Sequence, residues 1–146
     1  MTVIGIGTPR SGTRALSELL QDLGLDVTHE GSSAVGWNRE IREGRYGQTR
    51  NYLLGRDGDV AYWLTSCATD LLGDLPDAKV ISLAREKEPL LESLQENMTI
   101  KRLRERRSLL GFGFPTYPHL PEGEAWEKYW QAHRQRIRTI KSGYGE

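Results

Sequence analysis

The first 24 residues combine a short apolar strand, a glycine loop and an amphipathic helix, and few architectures accept that combination. Val3, Ile4 and Ile6 form an apolar run that reads as a buried strand. Gly7 to Gly12 follows as a tight loop with few side-chain obstructions. Apolar residues then recur at Ala15, Leu16, Leu19, Leu20 and Leu23. That spacing puts one apolar face on a helix that starts near Gly12 and stops at Gly24, the expected C-cap. Strand, loop and helix in this order aim backbone N–H groups and a positive helix end at one point, a geometry suited to phosphate. The same residues also read as a strand–turn–helix junction that binds nothing.

Gly7 and Gly12 keep the GxxxxG spacing of a P-loop, but Thr13 stands where its lysine belongs and Arg14 where its Mg²⁺-binding Ser or Thr belongs. A nucleoside triphosphatase lacking both loses its hold on the γ-phosphate and the metal. The loop can still cradle a 5′-phosphate, with positive charge supplied from within by Arg10.

At 146 residues the chain is long enough for one core and too short for two. It reads as a single domain over residues 1–146, with a motif-bearing core over 3–97 and a basic and aromatic helical part over 98–141. The apolar fraction of 37% and charged fraction of 27% suit a soluble globular protein. No apolar run approaches the roughly 20 residues of a membrane span, so no membrane partner is expected. The N-terminus enters a strand at once, without a signal-peptide pattern. A single cysteine, Cys67, excludes an internal disulfide framework and fits a reducing compartment, so a cytoplasmic protein is expected. His29, His119 and His133 are far apart and no Cys/His cluster has zinc spacing, so no metal site is expected. Net charge is zero but uneven. Residues 1–99 carry 10 Lys+Arg against 15 Asp+Glu, and residues 100–146 carry 10 against 5. The basic end suggests an anionic partner or a solvated helix surface. With no interleaved aromatic platform or recognised module, a nucleic-acid partner is not expected.

Further along, Leu25 to Thr28 alternates as a short second strand that ends at His29-Glu30-Gly31. In an open parallel sheet, ligands bind beyond the carboxyl ends of the strands, which puts His29 and Glu30 beside the phosphate loop. Gly31 to Gly58 is polar and rich in glycine and arginine, with short helices allowed at Asn38–Arg42 and Gln48–Leu54. It reads as a partly ordered loop over the site or as a plain surface excursion. Asp59 to Trp63 reads as a third strand, Ser66 to Leu75 as a helix, Lys79 to Ala84 as a fourth strand with Arg85 at its end, and Glu86 to Met98 as a helix with Leu90, Leu91 and Leu94 inward. This order predicts a three-layer α/β fold, a parallel sheet with helices on both faces. Lys101 to Arg107 is too charged for burial, and serves as a solvated face or an electropositive wall. Gly111 to Pro121 is an irregular glycine, proline and aromatic loop, either an acceptor-pocket wall or a core cover. Trp126, Tyr129, Trp130, His133 and Ile137 recur at helical spacing in a final helix over Glu122–Ile140, a stripe that reads as packing, and Lys141 to Glu146 reads as a frayed tail.

Two motifs in this order carry a family resemblance. The run Pro9-Arg10-Ser11-Gly12-Thr13 resembles the 5′-phosphosulfate loop of sulfotransferases that use 3′-phosphoadenosine 5′-phosphosulfate (PAPS). Arg85 at a strand end and Ser93 eight positions later resemble the family's 3′-phosphate motif, after a Pro-Asp-Ala-Lys approach from Pro76 to Lys79. Taken alone, Arg85 and Ser93 also fit a surface ion pair and an idle hydroxyl. The match has two departures: Lys87-Glu88 intervenes between Glu86 and Pro89, and Arg14 replaces the Ser or Thr common at the loop's end.

The resemblance implies the P-loop NTPase-like sulfotransferase fold and transfer of a sulfuryl group from PAPS to a hydroxyl or amine, releasing PAP, without a metal. It assigns Pro9, Arg10, Ser11, Gly12, Thr13 and Arg14 to the 5′ end of the donor, and Arg85 and Ser93 to its 3′-phosphate. It gives Arg10 the further role of stabilising the leaving phosphate, and puts the base just after the second strand, where Glu30 is preferred over His29. The acceptor stays open among small molecules, glycans and peptides, and a homodimer is compatible with the reading. Small stand-alone chains of this type are familiar from bacteria and their phages. Most family members are considerably longer, which leaves a minimal member, a truncated one or an inactive fold as alternatives. Two other functions remain on the sequence: a non-catalytic nucleotide- or protein-binding module, and a P-loop kinase-like enzyme, against which the missing lysine counts.

Overall fold

In a computed structural model, which describes residues 1–97 and 121–144, four parallel strands form one sheet in the order β2-β3-β1-β4. The strands are β1 (Val3–Ile6), β2 (Val27–His29), β3 (Gly58–Val60) and β4 (Lys79–Ser82). β1 lies in the middle and is buried along its whole length, as its apolar run requires. Its side chains alternate between two cores. Ile4 and Ile6 join the larger one, and Val3 joins Val27, Val60 and Leu20 in the smaller.

Helix α1 (Thr13–Asp22) covers the smaller core with Leu16 and Leu20. It ends where the glycine requires. Gly24 has φ +86°, its N–H bonds to the Gln21 carbonyl, and the Leu25 N–H bonds to the Leu20 carbonyl. This is a Schellman stop. The opposite face holds α4 (Leu64–Asp74), α5 (Lys87–Asn97) and α6 (Glu122–Tyr144). Leu71 and Leu72 of α4, Leu90 and Leu94 of α5, and Trp126 and Tyr129 of α6 fill the larger core. Lys87 and Glu127 form an ion pair that ties α5 to α6. The arrangement is therefore the three-layer α/β sandwich that the order of elements implied.

The segment after β2 carries both short helices that the sequence allowed, each a residue or two longer at its ends. It forms a 3₁₀ turn (Gly31–Val35), α2 (Trp37–Glu43) and α3 (Gly47–Leu54). One buried carboxylate joins its two helices. Glu40 accepts bonds from the Gln48 N–H at 2.7 Å, the Thr49 N–H at 2.9 Å and the Thr49 hydroxyl, which caps the start of α3. β3 is shorter than expected. The last ladder bond runs from the Ala61 N–H to the Gly5 carbonyl, and Tyr62 and Trp63 turn into α4. Their aromatic character suits a strand, but here it serves packing: Trp63 stacks on Trp37 at 4.8 Å and Tyr62 sits edge-on to both. β4 is likewise shorter, ending at Ser82. Lys141 to Tyr144, expected to fray, continue α6. The stripe on α6 is packing, with Trp126, Tyr129 and His133 buried. The Lys101–Arg107 run and the loop from Gly111 up to Pro121 lie outside the described residues.

Gly58 sets the junction of β1 and β3. It has φ +147°, and a Cβ there would stand 2.0 Å from the Val3 carbonyl oxygen. Gly58→Ala is expected to lower unfolding free energy by on the order of 3 kcal/mol in urea denaturation, because backbone has to move.

Candidate active site

The loop between β1 and α1 folds back on itself. The Ser11 N–H and hydroxyl both bond to the Thr8 carbonyl, at 3.2 and 2.6 Å. Arg10 adopts φ +66° and Gly12 φ +101°, two left-handed residues within three positions. Gly12 meets nothing within 4 Å where its Cβ would stand, so conformation rather than crowding calls for glycine there. No side chain caps the start of α1. The first amides of a helix lack intrahelical acceptors, and here they carry the dipole's positive end toward the loop.

The second motif meets this loop from across the sheet. Arg85, just past β4, donates from Nη1 to the Arg10 carbonyl at 2.8 Å. Arg10 donates from Nε to the Ser93 hydroxyl at 3.2 Å. Residues 75 and 83 positions apart in sequence thus form one exposed, doubly cationic cluster. One of the five guanidinium donors of Arg85 is used in that bond, which leaves the others for a ligand.

On the other side of the loop, the Thr13 hydroxyl lies 3.1 Å from His29 Nε2, and the same nitrogen lies 3.9 Å from Glu30 Oε1. The end of β2 therefore stands against the start of α1. Glu30 is half-buried and adopts φ +58°. Burial pushes its carboxyl above the ordinary value of 4.5. His29 opposes that shift, Asp59 adds to it and Arg14 opposes it. Tyr62 faces the same carboxylate: its phenol is raised by burial and then by the charge of Glu30.

The expected site residues therefore fall into two adjoining groups. Arg10, Arg85 and Ser93 form the cationic one; Thr13, Arg14, His29 and Glu30 form the acid–base one. Pro9 is buried beneath the loop. The hydroxyls of Ser11 and Thr13 already have protein partners, so the amides and guanidinium groups are the open donors for an anion. The Thr8 hydroxyl is buried and has no partner, an orphan donor at the foot of the loop. This donor set suits phosphate and sulfate groups. Among the described residues, no three His, Cys, Asp or Glu side chains converge on a metal site.

Sequence reasoning missed Asp59. It is fully buried in β3 and accepts from the Thr28 hydroxyl at 2.7 Å, the Gly31 N–H at 3.1 Å and the Ser32 N–H at 2.9 Å. The available signal was a carboxylate inside a run headed for burial, Asp59-Val60-Ala61. A cavity of about 720 Å³ was also not foreseen. It runs along the outer edge of β4 from Lys79 to Arg85 and reaches Thr8, Trp130 and His133. The His133 imidazole is pushed down to about 4, by burial and then by Arg136 and Arg134, so it packs as a neutral ring.

The sulfotransferase domain family model matches residues 2–143, nearly the whole chain. No curated protein matches the chain at a significant level.

The raised Glu30 carboxyl has a consequence for stability. A pKa above the unfolded value means that the fold favours the protonated form, so ionised Glu30 costs stability once pH rises through its folded value. Glu30→Gln should raise the urea midpoint at neutral pH and have no such effect below about pH 4, where both side chains are neutral. Midpoints measured across that range check the sign.

Proposed function

The chain belongs to the sulfotransferase domain family, and on that premise we propose that it moves a sulfuryl group from PAPS to a hydroxyl or amine acceptor. The observation that carries the donor assignment is the union of two distant motifs: Arg85 on the Arg10 carbonyl and Arg10 on the Ser93 hydroxyl. A donor with a 3′-phosphate and a 5′-phosphosulfate needs cationic ligands at two neighbouring points, and this cluster with the start of α1 offers both. When bound, the donor supplies a sulfuryl group whose S–O bond to the 5′-phosphate breaks as a new bond to the acceptor forms, leaving PAP.

In this reading Arg85 and Ser93 take the 3′-phosphate. The amides of Gly12, Thr13 and Arg14 take the 5′-phosphate. The Arg10 guanidinium leaves Ser93 to stabilise charge on the bridging oxygen, where developing charge rewards a fixed cation. Glu30 accepts the acceptor's proton. Its raised proton affinity, set mainly by burial, makes it a better base than an exposed carboxylate. His29 bonds Thr13 through Nε2, and the same nitrogen, 3.9 Å from Glu30, acts on that carboxylate by charge rather than by a hydrogen bond. The cavity beyond Arg85 gives room for the nucleoside end of the donor: its charged lining among the described residues is Lys79, Arg85, Arg134 and Lys141, without a carboxylate. The cytoplasmic setting rests on Cys67, a free and buried thiol pushed up to about 12, mainly by burial. No helix among the described residues is long and apolar enough to cross a membrane.

Arg10→Ala should lower turnover by about 10²–10³-fold, the usual cost of one transition-state donor, with PAP affinity changed only a few-fold. Arg85→Ala should weaken PAP by about 10–100-fold, as expected for a lost charge-assisted pair. Its turnover should also fall, because the clamp on the Arg10 carbonyl is lost with it. Steady-state kinetics and PAP titration of the two variants check the split. Equal, small effects of both would contradict it.

A further inference from the structure

We propose that Asp59 is a positioning residue for this site: its buried carboxylate gathers the backbone amides that follow Glu30 and so holds the Glu30 side chain toward the start of α1. This rests on the reading of Glu30 as the base. The geometry is a two-sided clamp. On one side the Glu30 N–H donates to the Val60 carbonyl at 3.0 Å. On the other, the next two amides, Gly31 and Ser32, donate to the two oxygens of Asp59 at 3.1 and 2.9 Å. Between them Glu30 sits at φ +58°, a conformation that a non-glycine residue keeps only where its surroundings enforce it.

The rest of the network closes around the same turn. Thr28 donates to Asp59 and lies 3.1 Å from the Tyr52 hydroxyl. A Cβ on Gly31 would stand 2.0 Å from that Tyr52 oxygen and 2.5 Å from the Thr28 hydroxyl oxygen. The Trp63 indole donates to the Ser32 hydroxyl at 3.0 Å. The Glu30 turn is thus bound to β3, to α3 and to the start of α4, and among the described residues Asp59 is the side chain that accepts from its main chain. A serine in place of Asp59 has no second oxygen with which to take both amides.

The charge of Asp59 matters as well as its shape. Among the described residues, Glu30 faces four charged or titratable groups: His29, Arg14, Tyr62 and Asp59. Asp59 is the carboxylate among them, and it opposes ionisation of Glu30. Removing that charge leaves His29 and Arg14 less opposed, so Glu30 should ionise at lower pH. A loosened turn adds to that shift, since burial is the largest cause of the raised Glu30 carboxyl.

The test is ¹³C-carboxyl NMR titration of Glu30 in the full chain, wild type against Asp59→Asn, with amide hydrogen exchange at Gly31 and Ser32. The expected result is a shift of the Glu30 titration to lower pH in Asp59→Asn. Ser32 should also lose at least about tenfold of its exchange protection, since the oxygen that takes its N–H becomes a donor, while Gly31 keeps its acceptor. An unmoved Glu30 titration overturns the proposal. If Asp59→Asn does not fold, the wild type decides. Gly31 and Ser32 amides protected like the sheet, at least about 100-fold over an open chain, support the clamp, and exchange at unprotected rates overturns it. Failure of Glu30 as the base shows elsewhere, as undiminished turnover in Glu30→Gln, and leaves these readouts unchanged.

Discussion

Arg10 holds a left-handed backbone conformation on an exposed loop, and the hydrogen bond from Arg85 to its carbonyl ties that loop to the far side of the site. Much of the site depends on this contact. It brings the end of β4 to the loop before α1 and sets the Arg85 guanidinium on the Arg10 main chain, while the Arg10 guanidinium reaches Ser93. Both charges are exposed to solvent, and an anion that meets both is favoured. The sheet order makes the meeting possible. β4 is the immediate neighbour of β1, so Arg85 and the loop leave adjacent strands at their carboxyl ends.

The acid–base side is built on a different principle. Two buried carboxylates, Glu40 and Asp59, each collect two consecutive main-chain N–H groups from a segment that hydropathy cannot organise. Glu40 starts α3, and Asp59 pins the turn that follows β2. Each stabilises its segment only because its oxygens are satisfied, since a buried carboxylate without donors would be destabilising. Polar anchoring of this kind holds a glycine-rich stretch against the sheet where apolar contacts are few.

That contrast explains what the sequence made legible. The β1–loop–α1 unit could be read because its glycines and apolar spacing act locally, and Gly24 ends α1 by the mechanism its position implied. Arg85 and Ser93 were visible because their eight-residue separation resembles the family's 3′-phosphate motif. Between Gly31 and Gly58 the two short helices were legible but not what anchors them, because Glu40 meeting Thr49 and Asp59 meeting Ser32 are contacts without periodicity. β3 was read too long for a related reason: Tyr62 and Trp63 have strand-like side chains, but stacking against Trp37 draws the chain out of the sheet. The meeting of Thr13 with His29 followed from topology alone, while the Asp59 contacts needed coordinates.

The central claim is that the cationic cluster is a 3′-phosphate site beside a 5′-phosphate loop. Calorimetric titration of the purified chain with PAP, and separately with ADP, tests it most directly. ADP has a 5′-diphosphate but no 3′-phosphate, so its binding reports the loop without the Arg85–Ser93 pair. The account predicts PAP binding at least about tenfold tighter than ADP, the contribution of one charge-assisted phosphate contact. Absence of PAP binding, or equal affinity for PAP and ADP, would contradict it.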